Sequence, residues 1–241
     1  MLRQNSTSCS FDLGPDDTLL KNAAKRGIDL TEVDTVVISH GHGDHGGALE
    51  AFLKVNHCAK IYVQRAAFEK HFSKLLGFIK APIGLDRKLM DHPQVVLTDG
   101  DCPVDEELLL FTTPDTSKFY SPANDTLYDE RGRDSFSHEQ DLMIFGPKNV
   151  LIMGCGHCGV VNILERAKPY RPDLCVGGYH LMIPASGKSV PEELLEGIAG
   201  ELRRYDTDFY TCHCTGDRAY RFLADRVPRM RYLSCGESIE V

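Results

Sequence analysis

The sequence predicts a layered α/β domain. Three observations carry this: short β-branched apolar runs without helical period, amphipathic runs that tend to end near glycine, and alternation of the two kinds. Asp16, Asp17 and Thr18 followed by LLKNAAKR read as a capped helix, with Lys25 and Arg26 in its last turn and Gly27 beyond. VDTVVIS (33–39) reads as a buried strand, ALEAFLKV (48–55) as a helix, KIYVQ (60–64) as a strand and AAFEKHFSKLLG (66–77) as a helix ending in glycine. QVVL and LLLF are strands, and SPANDTLYDERGRDSFS is a polar loop over a site or at the surface. LMIF and NVLIM are two strands joined by a turn at Gly146 and Pro147. NILERAK (helix), DLCVGG (strand), PEELLEGIAGELRR (helix, proline in its first turn), DFYTC (strand), DRAYRFLADRV (helix) and RYLSC (strand) complete the chain. No repeat, linker or low-complexity tract interrupts it, so residues 1–241 read as one domain.

The composition, 42% apolar and 26% charged, is that of a soluble globular protein. A net charge of −8 argues against a protein that grips nucleic acid through its phosphates. No apolar run reaches the ~18 residues of a membrane span. The start, MLRQNSTSCS, lacks the apolar segment of a signal peptide, so the expected compartment is the cytosol. Nine cysteines cannot all pair internally, and in that compartment most are thiols.

The chemistry concentrates in SHGHGDHGG, where His40, His42, Asp44 and His45 fall within six residues directly after a buried strand. Side chains two apart on an extended chain share a face, so His40 and His42 can reach one ion together. Asp44 and His45 follow a turn at Gly43 and can face a second. Imidazole and carboxylate suit zinc, iron or manganese, not calcium. A second stretch, GCGHCG (154–159), offers two readings: a Cys-x-x-Cys dithiol, or a metal-binding corner at the end of a strand.

HGHGDH resembles the HxHxDH signature of the metallo-β-lactamase-fold hydrolases. FDLG, MGCGHCGVVNIL, VGGYHL and HCTG look like the branch named for dihydropterin ribofuranosylaminobenzene-phosphate synthase. The resemblance runs from Phe11 to about Ala219. It implies a four-layer αβ/βα sandwich and two divalent metal ions, zinc foremost, with manganese or iron as alternatives. It implies His40, His42 and His157 on the first ion, and Asp44, His45 and His213 on the second. Many relatives keep a bridging aspartate where this chain has Cys155, which is either a soft ligand or a small buried hydrophobe. His138, in FSHEQDL, competes for the third-histidine role, and His180 is a candidate substrate-facing donor. Cys158 reads as packing, and His57, His71 and His92 as solvated. Asp12 is expected to orient the metal loop. Only ten, mostly polar, residues precede Phe11, so the first sheet is expected to lack one or more N-terminal strands, exposing an edge through which copies of the chain can associate.

The implied chemistry is attack by a metal-bridged hydroxide on a small ester, phosphoester or lactone, phosphorylated or pterin-like, with Asp44 accepting a hydrogen bond from the water. Arg131 and Arg133, in the polar loop, can meet a phosphate. Two rival classes remain. One is redox chemistry, either by the CGHC dithiol or by iron; iron chemistry on this fold usually needs a flavin domain and an acidic residue where His42 stands. The other is a non-enzymatic zinc module built from Cys155, His157, Cys158, Cys212, His213 and Cys214.

Overall fold

The computed structural model describes residues 2–4, 7–75, 79–184 and 186–241. The chain forms two compact units, Met1–Gly100 with Leu127–Gln140, and Asp101–Thr126 with Asp141–Val241.

The first unit is built on a five-stranded sheet of β1 (Leu2–Gln4), β2 (Thr7–Phe11), β3 (Thr35–Ile38), β4 (Lys60–Gln64) and β7 (Val95–Thr98). Between β4 and β7 the chain forms an antiparallel pair, β5 (Phe72–Leu75) and β6 (Ile79–Pro82). β1 and β2 are antiparallel, whereas β2, β3, β4 and β7 run parallel. Parallel neighbours need crossovers. These are α1 (Thr18–Lys25) before β3, and α2 (Gly43–Gly46) with α3 (Leu49–Leu53) after it. All four residues of β3 are buried, which is why its sequence shows no alternation. Val36, Ile38, Leu49, Phe52, Ile61 and Val63 share one buried cluster beneath the loop that leaves β3.

The second unit carries a seven-stranded sheet. β8 (Cys102–Pro103) and β9 (Leu108–Phe111) start it; β10 (Leu127–Tyr128) returns to the first unit and pairs with β5. The sheet continues through β11 (Asp141–Ile144), β12 (Val150–Ile152), β13 (Leu174–Gly177), β16 (Asp208–Thr211) and β17 (Met230–Tyr232). β14 (Met182–Ile183) and β15 (Lys188–Ser189) form a separate hairpin. β12, β13, β16 and β17 are parallel, and α4 (Val160–Ala167), α5 (Glu192–Leu202) and α6 (Asp217–Ala224) lie in the connections between them. Leu151, Ile163, Leu195, Ile198, Phe209 and Leu223 are buried in this unit.

Two expectations need correction. The segment read as a helix over 66–77 is a single 3-10 turn, Arg65–Phe68, followed by β5; Gly77 lies outside the described residues. Pairing of β5 with β6 and β10 overrides the local helical spacing. The residues ahead of Phe11, expected to leave the sheet short, supply β1 and β2. Ladder pairing of Cys9, Ser10 and Phe11 with β3 makes a strand from a polar sequence, with Cys9 and Ser10 buried.

Candidate metal centre

Parallel strands end at a common edge, and loops leaving that edge are where α/β sheets place their chemistry. In the first unit β2 delivers Asp12 and β3 delivers Ser39 and His40 to the same edge, although 27 residues separate Asp12 from Ser39 in sequence. Asp12 has a positive φ of 60°, and its carboxylate turns back into the loop. It accepts from the Ser39 amide (2.7 Å), the Ser39 hydroxyl (2.8 Å) and His45 Nδ1 (2.6 Å).

These bonds fix where the imidazole protons sit. His45 donates from Nδ1 to a carboxylate, so its lone pair is on Nε2. The one hydroxyl proton of Ser39 goes to Asp12, so Ser39 Oγ accepts from His40 Nδ1 at 2.8 Å, and His40 also keeps its lone pair on Nε2. This is the tautomer a metal-binding histidine adopts when its other nitrogen donates to a neighbour. The candidate ligand atoms of His40, Asp44 and His45 lie within 4.8 Å of one another. His40 and His45 are buried, whereas Asp44 is exposed.

His42 lies in a second group with His71, Asp134 and His138, whose polar side-chain atoms also fall within 4.8 Å of one another. His71, expected to be solvated, is buried, as is His138. His57 is exposed and His92 half-buried. Burial, then repulsion by His138, holds His42 well below the ordinary imidazole range. Burial likewise lowers His138, despite Asp134. For His71 burial acts against the charge, but the hydrogen bond and attraction of Asp134 outweigh it and the pKa rises. Burial would raise Asp134, yet the bonds from His138 and His71 hold it far below the carboxylate range.

A raised folded-state pKa gives stability that is fully present below the unfolded value, about 6.5 for histidine, and is lost as pH rises through the folded value. His42 and His138, both lowered, contribute in the opposite sense, so the linkage of His71 is read as a difference: the advantage of wild type over His71→Gln in urea midpoint is expected to shrink as pH rises from 6 to 8.5. Equal slopes in the two proteins would show that His71 carries no such linkage.

In the second unit the parallel strands again share an edge, and β12, β13 and β16 lead there to Cys155 and His157, to His180, and to His213. Asn124 donates to the His157 carbonyl (3.0 Å), and its Oδ1 faces His157 Nδ1 at 2.9 Å. His157 thus donates from Nδ1 and directs its lone pair to Nε2, the same tautomer as His40 and His45. The His180 ring lies 4.2 Å from that of His157. Its φ is 46°, it is buried, and neither ring nitrogen has a hydrogen-bond partner among the described residues. Buried polar atoms seldom stay so. Cys155 and Cys158 are both buried, which disfavours dithiol exchange. Cys214 Sγ accepts from the His180 amide at 3.3 Å and lies 3.5 Å from the Cys155 carbonyl; with Cys155 and His180 it forms a buried group within 4.8 Å. His213 is exposed, with φ 52°. Arg131 is paired with Asp129 and Glu69, and Arg133 is exposed.

Residues 11–128 match the family model described as the metallo-beta-lactamase superfamily. The crystal structure of Tm1679, a metal-dependent hydrolase of the beta-lactamase superfamily, superposes with a TM-score of 0.80 at 26% identity, over 97% of this chain and 89% of that one. The chain belongs to the metallo-beta-lactamase superfamily. Its α/β fold is that of the superfamily, and so is its general type, a metal-dependent hydrolase. An uncharacterized protein of Methanocaldococcus jannaschii is 25% identical over 234 residues, covering 93% of this chain and 85% of the relative. The same organism's 7,8-dihydropterin-6-methyl-4-(beta-D-ribofuranosyl)-aminobenzene-5'-phosphate synthase is 25% identical over 227 residues, covering 84% and 73%.

Sequence reasoning missed four residues that hold this metallo-beta-lactamase chain's loops in place: Ser39, Asn124, Asp134 and Gln140. Gln140 is fully buried. Its amide group donates to the carbonyls of Ile38 (2.8 Å) and Tyr62 (3.1 Å), and its own N–H donates to the Ser39 carbonyl (2.7 Å). Of the four, only Ser39 stands beside the motif, and a neighbouring hydroxyl is the signal that could have found it.

Proposed function

We propose that the chain hydrolyses a small ester, phosphoester or lactone at a centre of two divalent metal ions. The observation that carries this reading is the shared tautomer of His40, His45 and His157, each donating from Nδ1 to a fixed acceptor and presenting Nε2. The donor set, imidazole nitrogens and a carboxylate, fits zinc, manganese or iron. His40, His42 and His157 would hold one ion, and Asp44, His45 and His213 the other, with Cys155 as a soft additional ligand. The assignment across these residues rests on the motifs HGHGDH, GCGHCG and HCTG. Bound ions supply an activated water and polarise the substrate oxygen.

The protein's own part is positional. Asp12 and Ser39 orient His40 and His45, and Asn124 orients His157. Asp44, exposed, would accept a hydrogen bond from the attacking water. His180 presents a ring nitrogen to the substrate. The relative whose name contains a ribofuranosyl phosphate supports a phosphorylated, pterin-like substrate for this chain.

The test is metal analysis of the purified protein beside a His40→Ala, His42→Ala double variant. It is followed by phosphodiester, phosphomonoester, lactone and thioester probes with added zinc or manganese. Wild type is expected to hold close to two ions and the variant no more than one, with turnover of one probe class lost in step. Equal metal content in both proteins would sink the reading.

A further inference from the structure

We propose that residues 134–140 clamp the metal loop through hydrogen bonds, with His138 acting as a positioning residue and not as a metal ligand. The proposal deepens the metallohydrolase reading and rests on it for the loop's purpose. His138 Nδ1 accepts from the Gly41 amide at 2.9 Å. A nitrogen that accepts carries no proton, so a neutral His138 has its proton on Nε2, which lies 3.2 Å from Asp134 Oδ2. Neither nitrogen then offers a lone pair to an ion.

His71 is committed in the same way. Its Nδ1 lies 2.8 Å from the same carboxylate oxygen and its Nε2 3.1 Å from the Ala66 carbonyl. Both partners are acceptors, so both nitrogens donate. His71, Asp134 and His138 therefore form a hydrogen-bonded network around one carboxylate, beside the His42 ring. Six residues after Asp134, Gln140 fastens the same segment to the end of β3 and the middle of β4. The segment thus holds the loop at both Ser39 and Gly41, the backbone on either side of His40.

The substitutions His138→Asn and His138→Gln separate the two roles. Asparagine places an oxygen near the Nδ1 position and can still accept from Gly41. Glutamine keeps a donor toward Asp134 and loses that acceptor. The asparagine variant is expected to keep the Gly41 amide protected from exchange and to bind zinc within about threefold of wild type. The glutamine variant should lose at least tenfold in protection and about tenfold in zinc affinity.

Histidine 15N spectra of the wild type should show His138 protonated at Nε2, unchanged on zinc loading; this decides the matter even if the glutamine variant fails to fold. A zinc-induced shift at a His138 nitrogen, equal loss of an ion in both variants, or unaltered Gly41 exchange in the glutamine variant would each overturn the clamp. If the Gly41 pattern holds but wild type binds no metal, the clamp stands and the metallohydrolase reading fails.

Discussion

Asp12→Asn is expected to lower metal affinity by about 10- to 100-fold while leaving the fold intact. The carboxylate accepts three bonds, from the Ser39 amide, the Ser39 hydroxyl and His45. An asparagine oxygen can take over the amide bond. Its NH2 group then faces two donors at the other oxygen's position, and His45 relieves the conflict by moving its proton to Nε2. That removes the lone pair from the side that would meet the ion. Asparagine tolerates the positive φ of 60° at this position, so the backbone gives no competing explanation. Chelator competition with zinc measures the effect, and an affinity within twofold of wild type would show that Asp12 does not set the tautomer.

Gly41→Ala is expected to destabilise the protein by about 3 kcal/mol, the upper range for overpacking a close-packed site. A Cβ there would stand 2.6 Å from the Ala67 carbonyl oxygen, 2.9 Å from the Ala67 Cα and 2.8 Å from His71 Nε2. Two of these are backbone atoms of the turn after β4 and cannot rotate away. The loop must move instead, taking the Gly41 bond to His138 with it. For a chain of this length the loss corresponds to a melting point lower by roughly 6–12 °C. Thermal unfolding of the metal-free variant checks it; an unchanged melting point would mean that the strand-end loop yields at no cost.

The metal loop was legible because its ligands are contiguous and follow a strand whose burial on both faces leaves a plain apolar run. Its supports were not. His71 sits in a segment with helical spacing, and nothing local reveals that β5 pairs with β6 and β10 instead. Asp134 reads as part of a polar loop and His138 as a competing ligand, since the partners Gly41, Ile38 and Tyr62 of His138 and Gln140 lie 78 or more residues away. The N-terminal strands were missed for a related reason: Cys9 to Phe11 form a strand through the ladder that β3 offers, not through their own composition. His180 reads as a candidate, but its strained backbone and its ring nitrogens, without hydrogen-bond partners among the described residues, emerge only from the folded chain.

The division of the first unit into Met1–Gly100 and Leu127–Gln140 also sets an order of assembly during synthesis. When Gly100 has been made, the parallel sheet and the histidine loop are already present. The carbonyls of Ile38, Ser39 and Tyr62 must still wait for Gln140, and the Gly41 amide for His138. A nascent chain therefore carries the ligands of the loop for about a hundred residues before the groups that lock it emerge. Closure of that long loop is the slow kind of contact. Any ion that binds earlier meets a loop held by Asp12 and by the backbone bonds of Gly43 and His45, but not yet fastened at Ser39 and Gly41.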